Sequence, residues 1–246
     1  MDLTSPTGYD NDLALRLAAA CQLAYDLFGN PAAPPPAGYK INATFTGTLF
    51  GKTEMLGYTM SSATDAIVAF RGSDSLPDWL ADSAYAQVVY PNVAGSGLTH
   101  EGFTGVYQSL RDQVLASLKM LAPQRPLFIT GHSLGGAVAT LAALDIAVNS
   151  AFSAPVIYTI GSPRVGDPDF ADAFDATVLK RPVSSWRILN TFDVVPLMFP
   201  ERIYDALNKR YWYYRHVDEW LPLGFFKGGI AANHDLANYI TALEGD

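Results

Sequence analysis

Gly131-His132-Ser133-Leu134-Gly135 is the stretch of this chain whose residue types and spacing could carry out covalent chemistry. A serine hydroxyl becomes an effective nucleophile when a neighbouring base takes its proton and a tight turn holds its side chain out. Glycines two positions before and two after the serine remove Cβ atoms that would clash in such a turn. The pentapeptide alone is common enough to arise by chance, and its ordinary reading is a β-to-α turn whose glycines let a helix pack closely. Its context gives it weight. Leu127 to Thr130 is an apolar, partly β-branched run of strand length, and Leu134 to Val148 repeats apolar residues at helical spacing. A helix starting there aims its N-terminal N–H groups at negative charge developing beside Ser133.

The base and its orienting acid are sought next, in the chain order serine, acid, histidine that this kind of turn accompanies. Of the four histidines, His100 precedes the serine and His132 adjoins it with its side chain directed elsewhere. His234, in a Gly-, Asn- and Ala-rich turn before the last helix, is preferred as the base. His216, after an aromatic strand, is the alternative, with a structural hydrogen-bonding role as its ordinary reading. Asp193 stands out among the acids because it lies just past a strand end in the apolar run Phe192-Asp-Val-Val-Pro196, where an unpaired carboxylate is costly. Its ordinary reading is a turn cap. The oxyanion of an ester intermediate needs two donors. The N–H of Leu134 is one, and Ser73, in the polar turn Arg71-Gly72-Ser73 after an earlier strand, is placed to supply the other.

These residues need a scaffold. Asn30–Gly38 is a proline-rich connection after a first helix that includes Leu13–Cys21. Alternating β-rich segments at Tyr39–Phe50, Met55–Met60 and Ala66–Phe70 predict an antiparallel edge leading into a central sheet. A helix over Phe103–Leu121, strands at Val156–Ile160 and Trp186–Leu189, and a helix over Phe170–Val178 follow. Strands separated by helices predict an α/β fold with a mostly parallel central sheet and helices on both faces. Tyr211–Tyr214 fits an edge strand or a hairpin. Ser75–Asp82 reads as a short capped helix with Leu76, Trp79, Leu80 and Ala84 on one face. That face either packs on the core or forms a lid over the site.

Composition narrows the class. A net charge of −8 with scattered acids argues against nucleic acid and against attraction to anionic membranes, and 49% hydrophobic content excludes disorder. Cys21 is the single cysteine, and its neighbours make it an inert core thiol. The run Leu13–Cys21 superficially resembles a signal sequence, but Asp2, Asp10 and Asp12 precede it and Arg16 interrupts it, so no signal peptide is expected. No run reaches transmembrane length. No histidine–carboxylate cluster has metal-site spacing, so neither metal nor cofactor is expected.

Taken together, Phe70-Arg-Gly-Ser73, Asp78-Trp79 with Asp82, His100-Glu-Gly-Phe103, Gly131–Ala137, Gly161-Ser-Pro-Arg-Val-Gly166, Asp193-Val-Val-Pro196 and His234 resemble the class 3 (fungal-type) triacylglycerol lipase family. The resemblance runs in order from about residue 65 to the end. It implies one α/β-hydrolase domain over residues 1–246, a triad of Ser133, Asp193 and His234, and an oxyanion hole from Ser73 and Leu134. It further implies a lid at about 74–86 and substrate contacts at Trp79, Pro163 and Val195. The implied activity is hydrolysis of acylglycerol esters at an oil–water interface, by a monomer that needs no cofactor. A feruloyl or other small-acid esterase on the same fold is the alternative, and a catalytically silent lipase-like binding module a further one. The chain departs from secreted fungal members in lacking their disulfides and in its long aromatic segment Tyr204–Trp220.

Overall fold

Ala66-Ile-Val-Ala-Phe70 is apolar at every position because it is covered on both faces. It forms strand β3 (Ala66–Phe70) of the computed structural model, which describes residues 8–73, 84–179, 185–217 and 219–245. Ala66, Val68 and Phe70 enter one core, and Ile67 and Ala69 enter the other, as the two-residue period of a strand requires.

Seven strands make the central sheet, in the order β1 (Lys40–Leu49), β2 (Lys52–Ser61), β3, β6 (Leu127–His132), β7 (Val156–Ile160), β8 (Ser185–Asn190) and β11 (Trp220–Leu223). β1, β2 and β3 pair antiparallel, and every pairing from β3 to β11 is parallel. The expected antiparallel edge is therefore present, and Pro222 sits in the strand at the opposite edge, where a missing N–H is tolerated. Helices α2 (Glu101–Lys119), α3 (Leu134–Asn149) and α4 (Pro168–Val178) cover one face. On the other lie α1 (Asn11–Gly29) and the C-terminal α6 (Leu236–Glu244), with Leu17, Cys21, Leu27, Tyr239 and Leu243 in its core. This is the α/β-hydrolase arrangement.

Local chemistry explains the elements. Asp10 caps α1, its Oδ1 accepting from Leu13 N at 3.0 Å. The run that resembles a signal sequence is thus a core helix, with Cys21 wholly buried and its thiol pushed up to about 12 by desolvation. The Ala-rich α3 is buried on almost every side, so its one acid, Asp145, needs partners. Arg111 Nε (2.7 Å), Arg111 Nη2 (3.0 Å) and Tyr107 OH (2.7 Å) supply them from α2.

Of the two forms expected of Tyr211–Tyr214, the run takes the hairpin, and the strand at the sheet edge is formed farther on, from Trp220. Strands β9 (Arg202–Asp205) and β10 (Arg210–Tyr213) make a hairpin, and β11 joins the sheet edge. A smaller pair, β4 (Gln87–Val89) with β5 (Leu98–His100), leads into α2. The short helix expected over Ser75–Asp82, with Trp79, lies outside the described residues, as does the lid segment apart from 84–86. Among the described residues no helix is long and apolar enough to cross a membrane.

Candidate active site

Ser133 follows β6 directly and precedes α3, with φ +60° and ψ −131°, a backbone conformation that a non-glycine residue rarely holds. The flanking glycines are there because backbone occupies the space their side chains would need. A Cβ at Gly131 would lie 2.1 Å from Gly135 O, and one at Gly135 would lie 2.4 Å from Phe70 O. Gly136 meets Ser162 Cβ in the same way, at 2.7 Å. The turn is pinned to the neighbouring strand by Ser133 N donating to Ile160 O at 3.0 Å.

Asp193 and His234 come together over the end of β7. His234 Nδ1 is 2.6 Å from Asp193 Oδ2, and both side chains are almost wholly buried. Gly161, next after β7, makes room for them: a Cβ there would fall 3.0 Å from His234 Cε1 and 3.2 Å from Asp193 Oδ2. His234 Nε2 is buried with no hydrogen-bond partner among the described residues. Asp193 also caps its own turn, Oδ1 accepting from Val195 N at 2.9 Å, so the turn-cap reading and the pairing with His234 hold together. His216 does something else: its Nε2–H donates to Pro196 O at 2.8 Å. His234 was expected in a turn, but it is the last residue of the one-turn helix α5 (Ile230–His234), just ahead of α6. Two adjoining helices thereby hold the ring.

Several supporting groups were not legible in the sequence. Tyr239, on α6, donates its hydroxyl to Asp193 Oδ2 at 2.7 Å. Asn190 Nδ2 donates to Asn233 O at 3.0 Å and steadies the segment before His234. The ring of His132 lies 4.6 Å from that of His234, its Nε2 pairs with His234 O at 2.8 Å, and its Nδ1 with Tyr25 OH at 2.9 Å. Tyr25 OH in turn accepts from Gly72 N at 3.0 Å. Each partner comes from a distant part of the chain, so spacing carried no signal for them.

Where oxyanion donors are expected, Leu134 is buried at the first position of α3, and Gly72 packs on Ser133, since a Cβ there would fall only 2.8 Å from Ser133 Cβ. Ser73 follows it, half-buried. Arg71 anchors this loop: its Nε donates to Met55 O (2.7 Å), its Nη1 to Gly72 O (2.7 Å), and its Nη2 pairs with Glu54 (2.9 Å).

An apolar groove of about 360 Å³ starts at Leu134 and runs between the β1–β2 tip and the first turns of α2. Leu49, Phe50, Phe103 and Val106 line it, and among the described residues no charged side chain does. Pro163 and Val195, expected to contact substrate, are both buried and are not among its walls. The available signal for these walls was the pattern Gly102-Phe103 and Gly105-Val106, which sets small and apolar residues one turn apart on α2.

Buried neutral histidines make stability depend on pH. His100 caps α2, Nδ1 accepting from Phe103 N at 3.2 Å and Nε2–H donating to Ala84 O. Burial lowers it from 6.5 to about 4, and it lowers His216, with help from the Arg187 charge, to about 3. Burial, and after it the neighbouring His234, also holds His132 well below its ordinary value. The unfolded chain then binds more protons than the folded one below pH 6.5. Stability from these groups is complete above that pH and is lost as pH falls toward 4. The melting temperature is expected to drop across that window, less steeply in His100→Asn, whose side-chain oxygen can still cap Phe103 N. An unchanged slope in the variant would remove His100 from this account.

Residues 67–203, more than half of the chain, match the profile of the family described as Lipase (class 3). The chain is similar to a lipase of Rhizomucor miehei, 36% identical over 167 residues that cover 65% of this chain and 44% of the relative. It is similar to phospholipase A1-II 3 of Oryza sativa subsp. japonica, 32% identical over 234 residues covering 79% and 54%. Among solved structures, a lipase from Rhizopus microsporus var. chinensis superposes with a TM-score of 0.71 at 27% identity, covering 89% of this chain and 76% of that one. The chain spans about half the length of the two curated relatives.

Proposed function

Because the chain belongs to the class 3 lipase family, we propose that it is a serine carboxylester hydrolase acting on acylglycerol esters. The observation that carries this reading is the buried Asp193–His234 pair, whose imidazole lies 4.6 Å from the ring of His132, the residue before Ser133 in its strained turn, and whose Nε2 has no hydrogen-bond partner among the described residues. In the proposed reaction His234 Nε2 takes the proton of Ser133 Oγ as Oγ attacks the ester carbonyl. The N–H of Leu134 and Ser73 stabilise the resulting oxyanion, and the imidazolium returns the proton to the departing alcohol. Water then repeats the sequence on the acyl-serine and releases the fatty acid. Asp193, held by Tyr239 OH and Val195 N, fixes the imidazole tautomer and balances its transient charge.

The apolar lining, uncharged among the described residues, supports an aliphatic acyl chain as the group transferred. We assign residues 1–246 to one domain, with the segment 74–86, including Trp79, as its lid, and a lipid–water interface as the place of action. Initial rates on p-nitrophenyl esters of increasing chain length test the reading, with methyl ferulate as contrast. Rates are expected to rise from acetate toward medium chains and to stay low on ferulate. Val106→Trp, which fills the groove, is expected to raise KM for medium chains on the order of tenfold and leave acetate little changed, since several methylenes lose burial worth about 0.8 kcal/mol each. Preference for ferulate, or equal effects of Val106→Trp on both chain lengths, would overturn the acyl-groove assignment.

A further inference from the structure

The β9–β10 hairpin contributes nothing to the triad or the groove, yet it carries an unusual face. Its register pairs Tyr204 with Tyr211 and Arg202 with Tyr213, so these four side chains share one side, and all four are exposed. The Tyr204 and Tyr211 rings stand 5.0 Å apart, with the Arg202 guanidinium 3.8 Å above the Tyr211 ring. Leu207, at the turn, is 92% exposed. Lys209 and Arg210 follow it, with Arg210 seated 3.6 Å over the Trp212 ring. The hairpin's one acid, Asp205, is turned inward. It accepts from Leu207 N (3.1 Å), Asn208 N (3.0 Å), Asn208 Nδ2 (2.8 Å) and Trp212 Nε1 (3.2 Å) and is held below the usual carboxylate range, the Asn208 bonds chief among the causes. A chain of net charge −8 thus presents one hairpin whose exposed residues include three cations, three phenols and an apolar tip, with Arg210 on the side away from the tyrosines.

We propose that this hairpin docks on an anionic lipid surface, an inference that rests on the lipid-hydrolase reading above. Leu207 enters the headgroup boundary, the tyrosines take the interfacial position that suits amphipathic rings, and Arg202, Lys209 and Arg210 meet lipid phosphates. The overall negative charge predicts repulsion from such a surface, and the exposed cations of the hairpin oppose it locally, with Asp167 and Asp169 beside Arg210 and Glu201 just before Arg202 as the nearest acids. The hairpin is also tied to the rim of the groove. Gln87 Nε2 donates to Tyr213 O at 2.8 Å, and Tyr214 OH donates to Tyr85 O at 3.0 Å, next to Ala84 in the groove wall. Docking there brings the groove close to its substrate. A neutral polysaccharide would also use exposed aromatic rings, but it gives three cations nothing to pair with.

The test is co-sedimentation of the full chain carrying Ser133→Ala, so that no lipid is hydrolysed, with vesicles of equal parts phosphatidylcholine and phosphatidylglycerol. Binding is expected to exceed that to pure phosphatidylcholine and to fall as salt rises. Leu207→Gln/Lys209→Asn/Arg210→Gln is expected to weaken it on the order of tenfold or more, as each lost cation near such a surface implies. Leu207→Gln alone, at the exposed tip, is expected to weaken it less. Turnover of soluble p-nitrophenyl acetate by the same hairpin variants with Ser133 intact is expected to stay at the parent level. Loss of that turnover in the parent itself would sink the hydrolase reading and not the docking face. Equal binding of parent and triple variant, or no preference for the anionic vesicles, overturns the proposal. Binding to insoluble cellulose that the triple variant loses assigns the face to polysaccharide and overturns it too.

Discussion

Ser133→Ala and His234→Ala are each expected to lower kcat on soluble esters by on the order of 10⁴-fold or more while the protein stays folded. The members of a triad act as one unit, so the double variant is expected to be little worse than either single one. Asp193→Asn is expected to cost on the order of 10⁴-fold as well, because an amide facing His234 Nδ1 no longer enforces the productive tautomer. A fluorophosphonate probe is expected to label the parent at Ser133 and to leave Ser133→Ala unlabelled. His216→Ala is the discriminating control. Its imidazole is committed to Pro196 O, so its loss is expected to lower stability and spare the chemical step. Activity that survives His234→Ala and disappears with His216→Ala would reassign the base.

Among the described glycines Gly131 leaves the least room for a Cβ, and Gly131→Ala is expected to cost much of the protein's stability. Its new Cβ would stand 2.1 Å from Gly135 O and 2.3 Å from Gly135 C, both backbone atoms that move only if β6 and α3 separate. A clash of that kind in a close-packed interior costs about 3 kcal/mol or more, enough to deplete soluble protein. Gly105→Ala makes the opposite case. Gly105 lies inside α2 with nothing within 4 Å of the added methyl, and alanine is the better helix former by roughly 1 kcal/mol. Thermal melts of the two variants beside the parent should therefore move in opposite directions. A Gly131→Ala protein that melts with the parent would mean that the turn is looser than its geometry implies.

The sequence by itself determined the parts of this protein that depend on local order. An apolar strand run, two spaced glycines and an Ala-rich helix around Ser133 describe a strand–turn–helix, because the same few residues both make the turn and pack it. The alternation of strand and helix patterns led to the parallel sheet for the same reason. Asp193 stood out as a carboxylate in an apolar run, and His234 as a histidine after the serine in a Gly-, Asn- and Ala-rich turn. Tertiary structure alone decided what lies across the sheet from them. Tyr239, His132 and Tyr25 reach the Asp193–His234 pair and the Arg71–Ser73 loop from α6, β6 and α1. A tyrosine that donates to a carboxylate has the same sequence signature as one that fills a core. The groove walls were likewise hidden, since Leu49, Phe103 and Val106 read as core residues until the β1–β2 tip and α2 are set apart. Periodicity along a chain reports which face of an element is apolar, and only the packing of elements from distant segments decides whether that face meets a neighbour or an open groove.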